Sequence, residues 1–178
     1  LENYVSCEFN DPLYIVFSSG TTGKPKCITH SIGGVLIQHA KEHLLHVNLS
    51  ENQKMFYFTT CGWMMWNWLV GSLFCKSSII LYEGSPFYPN PQHLWKIAEK
   101  SKVDVFGTSA KYIDALSKSN IIPNSQSEFH NLRTICSTGS PLSPDSYEYI
   151  LNNIKSDVQI ASISGGTDLL SCFVLSNP

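Results

Sequence analysis

Short apolar runs, rich in β-branched and aromatic residues and bounded by turn residues, recur at 13–18, 54–60, 77–82, 103–107, 132–136 and 158–163 and predict strands. Between them the spacing changes. Over 31–47, Ile32, Val35, Leu36, Ala40, Leu44 and Val47 recur at helical intervals and predict a helix with one buried apolar stripe. Leu94, Trp95 and Ile97 do the same for 91–100. Ser109 predicts an N-cap for a helix through Leu116, and Ser143 followed by Pro144 predicts the start of another that runs to about Ile154. Residues 117–131 lack periodicity and read as a connection. Strands alternating with helices imply an α/β fold, a largely parallel sheet flanked by helices.

Three of the predicted strands run into Gly/Ser/Thr turns. The first, Tyr14 to Lys26, reads YIVFSSGTTGKPK, a run expected to be a buried strand and then a loop suited to an anion. Gly20 and Gly23 let successive N–H groups face one concavity, Ser18, Ser19, Thr21 and Thr22 add hydroxyl donors, and Lys24 and Lys26 add positive charge. It is not a Walker A loop, because only Thr21 and Thr22 separate the glycines and Pro25 follows Lys24. The second turn, Ser137 to Leu142, reads STGSPL, and the third, Ser164 to Asp168, reads SGGTD. In parallel sheets ligands collect at the carboxyl ends of the strands, where all three turns are expected to converge.

Two further stretches admit more than one reading. His39, His43 and His46 fall in one row on the predicted helix. A metal site would need a partner that the sequence does not indicate, so packed or solvent-edge histidines are the expectation. In CGWMMWNWLVGSLF three tryptophans and two methionines crowd six positions, as core, as an apolar pocket beside the phosphate loop built from Trp63, Met65 and Trp66, or as both.

Composition narrows the class. With 178 residues, 43% hydrophobic, the chain can bury a real core; a net charge of −2 and no basic run argue against nucleic acid. No apolar run approaches the roughly 18 residues of a membrane span. The six cysteines are scattered without a CxxC pair and are expected to be buried free thiols, with a cytosolic setting as the default. The start at Leu1 and the stop just after a strand-like run suggest an excerpt of a longer polypeptide.

SSGTTGKPK, the Gly62-Trp63 pair, STGSPL and SGGTD, in this order, resemble the motifs of the adenylate-forming acyl-CoA synthetases. The resemblance implies the central part of a large N-terminal AMP-binding domain, over 1–178, with the small mobile C-terminal domain and its lysine outside it. It implies small-molecule substrates only: ATP, coenzyme A and a short acid, acetoacetate foremost, joined through an acyl-adenylate. Carried over by position, Ser18 to Lys26 would embrace the departing phosphates, and Gly139, Ser140 and Pro141 would lie along adenine and the acyl group. Thr167 would contact the α-phosphate. Asp168, where most members carry Glu, would hold Mg²⁺. Trp63 and Met65 fall where the family builds its acyl pocket. Another short acid such as acetate, or a nucleotide-binding module without turnover, stay open as alternatives, and the excerpt alone is expected to be nearly inactive.

Overall fold

The computed structural model describes residues 4–18, 23–123 and 129–178. Its centre is a five-stranded parallel sheet of β3 (Lys54–Tyr57), β4 (Ser78–Ile80), β5 (Val105–Ser109), β6 (Thr134–Thr138) and β7 (Gln159–Ser162), in the order β4-β3-β5-β6-β7. The registers are regular, with Phe56 opposite Phe106 and Phe106 opposite Ile135. Successive side chains leave a strand on opposite faces, so one apolar run feeds two cores. Phe56, Phe106 and Ile135 face α3 (His93–Ser101), α4 (Ala110–Lys118) and α5 (Pro144–Asn153), with Trp95 stacked on Phe106 at 4.0 Å. Met55, Tyr57, Val105, Cys136 and Ala161 face the other way, against α2 (Met64–Gly71) and its 3₁₀ extension Ser72–Cys75. Burying one such aromatic or aliphatic side chain is worth about 1.5–3 kcal/mol, and both faces are lined with them.

The expected caps are present. Ser109 Oγ accepts from Tyr112 N, and Ser143 Oγ accepts from Ser146 N with Pro144 opening α5.

The first predicted strand is placed differently. β1 (Pro12–Ser18) does not join the parallel sheet; it forms an antiparallel hairpin with β2 (Lys26–Ser31), with Phe17 opposite Cys27 and Ser18 opposite Lys26. It is not buried either, since Ile15 is 60% and Phe17 65% exposed. The unit is therefore strand, loop, strand, helix.

The helix that follows also turns an unexpected face inward. α1 (Ile32–Lys41) continues as a π-helical turn, Glu42–His46, and the buried residues are Gly33, Val35, His39, Glu42 and His43, whereas Leu36, Leu44 and Leu45 are exposed. The histidine row is packed, and no group of three metal-binding side chains occurs among the described residues. All six cysteines are free. Cys75 and Cys136 are buried and Cys172 partly so, but Cys7, Cys27 and Cys61 are exposed, against the expectation of uniform burial. No helix is long and apolar enough to cross a membrane among the described residues.

Candidate active site

The carboxyl ends of β6 and β7 are tied together by Ile163 N donating to Ser137 O at 2.7 Å and Thr138 Oγ1 donating to Ile163 O at 2.8 Å. Beyond these bonds the chain turns outward twice, at Gly139 to Pro141 and at Ser164 to Thr167. Gly139 has φ +90°, a left-handed conformation that a side chain resists, and the turn needs it. The second turn forms the antiparallel pair β8 (Ser164–Gly166) and β9 (Ser171–Val174). The bare Cα of Gly165 admits the Ser171 carbonyl, which a Cβ would strike.

Across these turns lies the N-terminus of α2. Trp63 Cζ2 stands 3.9 Å from where a Cβ on Gly139 would be, and the Trp63 ring meets Tyr57 edge-on at 6.2 Å. A cavity of about 340 Å³ results. Its apolar wall is Trp63, Met64, Met65, Trp68 and Ile163. Thr138 to Pro141 and Ser164 to Thr167 bring hydroxyls and backbone groups, and Glu42, Ser171 and Cys172 close the remaining side.

Six residues singled out from the sequence therefore share one cavity: Trp63, Met65, Gly139, Ser140, Pro141 and Thr167. Others do not. Trp66, one helical step from Met65, lines a separate cleft with Tyr57, Cys61, Tyr82 and Glu83, because neighbours on a helix point about 100° apart. Ser18, Gly23, Lys24 and Lys26 lie outside the lining, the last three exposed at the mouth of the β1–β2 hairpin. Asp168 is exposed just past the cavity. Ser19, Gly20, Thr21 and Thr22 fall outside the described residues. Among the described residues, the β1–β2 hairpin is tied to the third turn by His30 Nε2, on β2, which donates to Thr167 O at 3.1 Å.

The side of the cavity that the sequence reading missed is its acidic one. Glu42 has no exposed side-chain surface. Its carboxylate accepts from Trp68 Nε1 at 2.7 Å, Gln38 Nε2 at 3.0 Å, Cys172 N at 3.2 Å and the Ser171 hydroxyl. Burial alone would raise its pKa, but the hydrogen bonds from Ser171, Cys172 and Trp68 outweigh it, and the group sits below the ordinary Glu value. Burial and the Glu42 charge push the Cys172 thiol upward, so it stays protonated. His39 and His43 donate from Nε2 to Leu170 O and Trp68 O, which leaves each Nδ1 as a bare, buried lone pair. Burial lowers both, His43 to about 4, so neither carries charge at neutral pH. The signal for Glu42 was in the sequence: it lies three residues after His39 and seven after Val35, on the face that proved to be buried.

The cavity thus offers hydroxyls, backbone groups and an apolar wall, with no histidine or lysine among its described lining residues.

Residues 2–176 match the family described as AMP-binding enzyme. The chain belongs to the AMP-binding enzymes. Within that family it is 56% identical over 170 residues to acetoacetyl-coenzyme A synthetase of Rhizobium meliloti (strain 1021), covering 96% of this chain and 26% of that protein. It is 52% identical to acetoacetyl-CoA synthetase of Gallus gallus, covering 95% of this chain and 25% of the relative. The structure of acetoacetyl-CoA synthetase from Streptomyces lividans superposes with a TM-score of 0.93 at 41% identity, over 98% of this chain and 28% of that one. This AMP-binding chain therefore spans about a quarter of the length of those relatives.

Proposed function

We propose that this chain is the central part of the AMP-binding domain of a longer acid–thiol ligase that converts acetoacetate, ATP and coenzyme A into acetoacetyl-CoA, AMP and pyrophosphate. The observation that carries the reading is the meeting of Gly139 to Pro141, Ser164 to Thr167 and the Trp63–Met65 wall around one cavity. The shared name of the relatives supports the choice of acid.

The chemistry suits the lining. A carboxylate oxygen of the acid attacks the α-phosphorus of ATP, the bond from that phosphorus to the bridging oxygen breaks, and pyrophosphate leaves. The thiol of coenzyme A then attacks the acyl carbon and AMP departs. The attacking acid is already ionised at pH 7 and needs no base, so catalysis reduces to alignment and charge neutralisation. Thr167 orients the α-phosphate. Ser18 to Lys26, comprising Ser18, Ser19, Gly20, Thr21, Thr22, Gly23, Lys24 and Lys26, holds the departing phosphates. Gly139, Ser140 and Pro141 lie along the nucleotide, and Trp63 and Met65 enclose the acyl group. Gly139 puts no side chain between the second motif's backbone and Trp63, whose Cζ2 would stand 3.9 Å from a Cβ there.

Asp168 would hold Mg²⁺. A single exposed carboxylate at the cavity edge fits that ion, which is commonly bound by one or two carboxylates together with substrate phosphates and water. When bound, the ion supplies neutralisation of phosphate charge. The test is acetoacetate-dependent exchange of pyrophosphate into ATP by the longer protein. Exchange with acetoacetate exceeding that with acetate and propionate is expected; no exchange with any short acid would sink the ligase reading.

A further inference from the structure

Glu42 is a buried carboxylate at a cavity wall, and its hydrogen bonds reach three separate elements: Gln38 on α1, Trp68 on α2, and Ser171 and Cys172 on β9. Gln38 Nε2 also donates to Ser171 Oγ, closing the network. Among the described residues no arginine or fully buried lysine is paired with it; Lys41 Nζ is 3.9 Å away with its side chain 41% exposed. The carboxylate is therefore held by hydrogen bonds from three elements and not by a close cation, so the elements it joins depend on it for their spacing. Glu42 also opens the π-helical turn, closed by Val47 N donating to Glu42 O at 3.0 Å. Glu42 and His43 follow His39 by three and four residues and all three lie inward, and π-helical turns concentrate at functional sites.

What the network holds apart is the cavity itself. On one side, Trp68 is clamped between Glu42, the His43 ring at 4.2 Å and the Tyr57 ring at 5.9 Å, and Tyr57 in turn meets Trp63. On the other side, Ser171 and Cys172 pair in register with Gly166 and Gly165, the residues that lead into Thr167. We propose that Glu42 is a positioning residue that sets the width of the acyl pocket, by fixing the apolar wall through Trp68 and the β8–β9 hairpin through Ser171. The inference rests on the reading of this cavity as the acyl site of an acid–thiol ligase. Its consequence is selectivity: the anchored Trp68 wall limits the pocket to short acids, and releasing it lets longer chains in.

The experiment is steady-state pyrophosphate exchange by the longer protein, with acetoacetate and hexanoate as acids, for the unsubstituted form, Glu42→Gln, Trp68→Phe and Ser171→Ala. Glu42→Gln keeps the volume and removes the charge; Trp68→Phe removes only the indole donor and part of the ring. The expected result for Glu42→Gln is an acetoacetate KM raised at least about five-fold, an ATP KM within about two-fold, and a rise in the hexanoate-to-acetoacetate ratio of kcat/KM. If Glu42→Gln does not fold, Trp68→Phe and Ser171→Ala decide by the same split. Unchanged acid KM in all variants that fold, or acid and ATP KM rising together, overturns the inference while leaving the ligase reading intact. Absence of exchange by the unsubstituted protein overturns both.

Discussion

His30 donates to the backbone carbonyl of Thr167 across 137 positions of sequence, at 3.1 Å, and so ties the strand leaving the first glycine-rich turn to the last motif of the cavity. A carbonyl only accepts, so the His30 proton is on Nε2. The bond sets where Thr167 stands relative to the β1–β2 hairpin. Loss of it in His30→Ala is expected to lower ATP-dependent exchange about three- to ten-fold, in keeping with the ~1 kcal/mol net worth of one such bond. His30→Gln, which keeps a donor, should recover part of the rate. Equal rates for all three forms would show that the hairpin is positioned by other contacts.

Thr167 and Asp168 are half-exposed and exposed, and neither belongs to a core cluster. Their truncation is therefore expected to shift stability by less than about 0.5 kcal/mol, as for surface positions generally. Adenylation should suffer far more, by about 100-fold for Thr167→Ala or Asp168→Ala, the range seen for a lost transition-state donor or charge partner. Parallel melting curves and exchange rates check this; equal exchange in the variants would mean that the motif does not hold the phosphates.

Gly139 and Gly166 separate backbone strain from crowding. A methyl on Gly139 would lie 3.9 Å from Trp63, an ordinary contact, but at φ +90°, so Gly139→Ala is expected to cost about 1–2 kcal/mol through the backbone alone. Gly166 has open space and no positive φ, and Gly166→Ala should be within about 0.5 kcal/mol of neutral. Thermal or denaturant midpoints read the difference directly, and similar midpoints for the two variants would contradict the strained turn.

Acid should destabilise this fold through the buried histidines. His43 is held down to about 4 by burial, from 6.5 in an unfolded chain, and His39 is lowered for the same reason. A group depressed in the folded state gives its full stability above the unfolded value and loses it as pH falls through the folded one. Stability should therefore decline between about pH 6.5 and pH 4, with His43 accounting for roughly 3 kcal/mol. Glu42, also depressed by its hydrogen bonds, adds loss in the same direction at the lower end. His43→Asn should flatten the melting-temperature profile over that interval; an unchanged slope would place the titration elsewhere.

Much of the sheet was legible because its signals are local. Ser109 and Ser143 cap helices wherever they fall, and the runs 54–60, 103–107, 132–136 and 158–163 carry both an apolar pattern and turn chemistry at their ends. β1 was misread because YIVF suits a buried parallel strand and a hairpin arm equally; the difference lies in its partner Lys26–Ser31, too polar to be recognised alone. The inward face of α1 was misread because hydropathy favoured Leu36 and Leu44 over Glu42 and His43, and the polar pair is accommodated by donors to Glu42 on α2 and β9 and by the Trp68 carbonyl that accepts from His43.

By itself the sequence determined the alternation of strands and helices, the caps and the glycine-rich turns, since each depends on backbone preferences within a few residues. Only the tertiary structure decided that Trp63 and Met65, not Trp66, face the turns after β6 and β7, because the rotation of a helix is set by what it packs against. It alone revealed Glu42, whose buried charge is stable only where Trp68, Ser171 and Cys172 meet it from segments far apart in the chain.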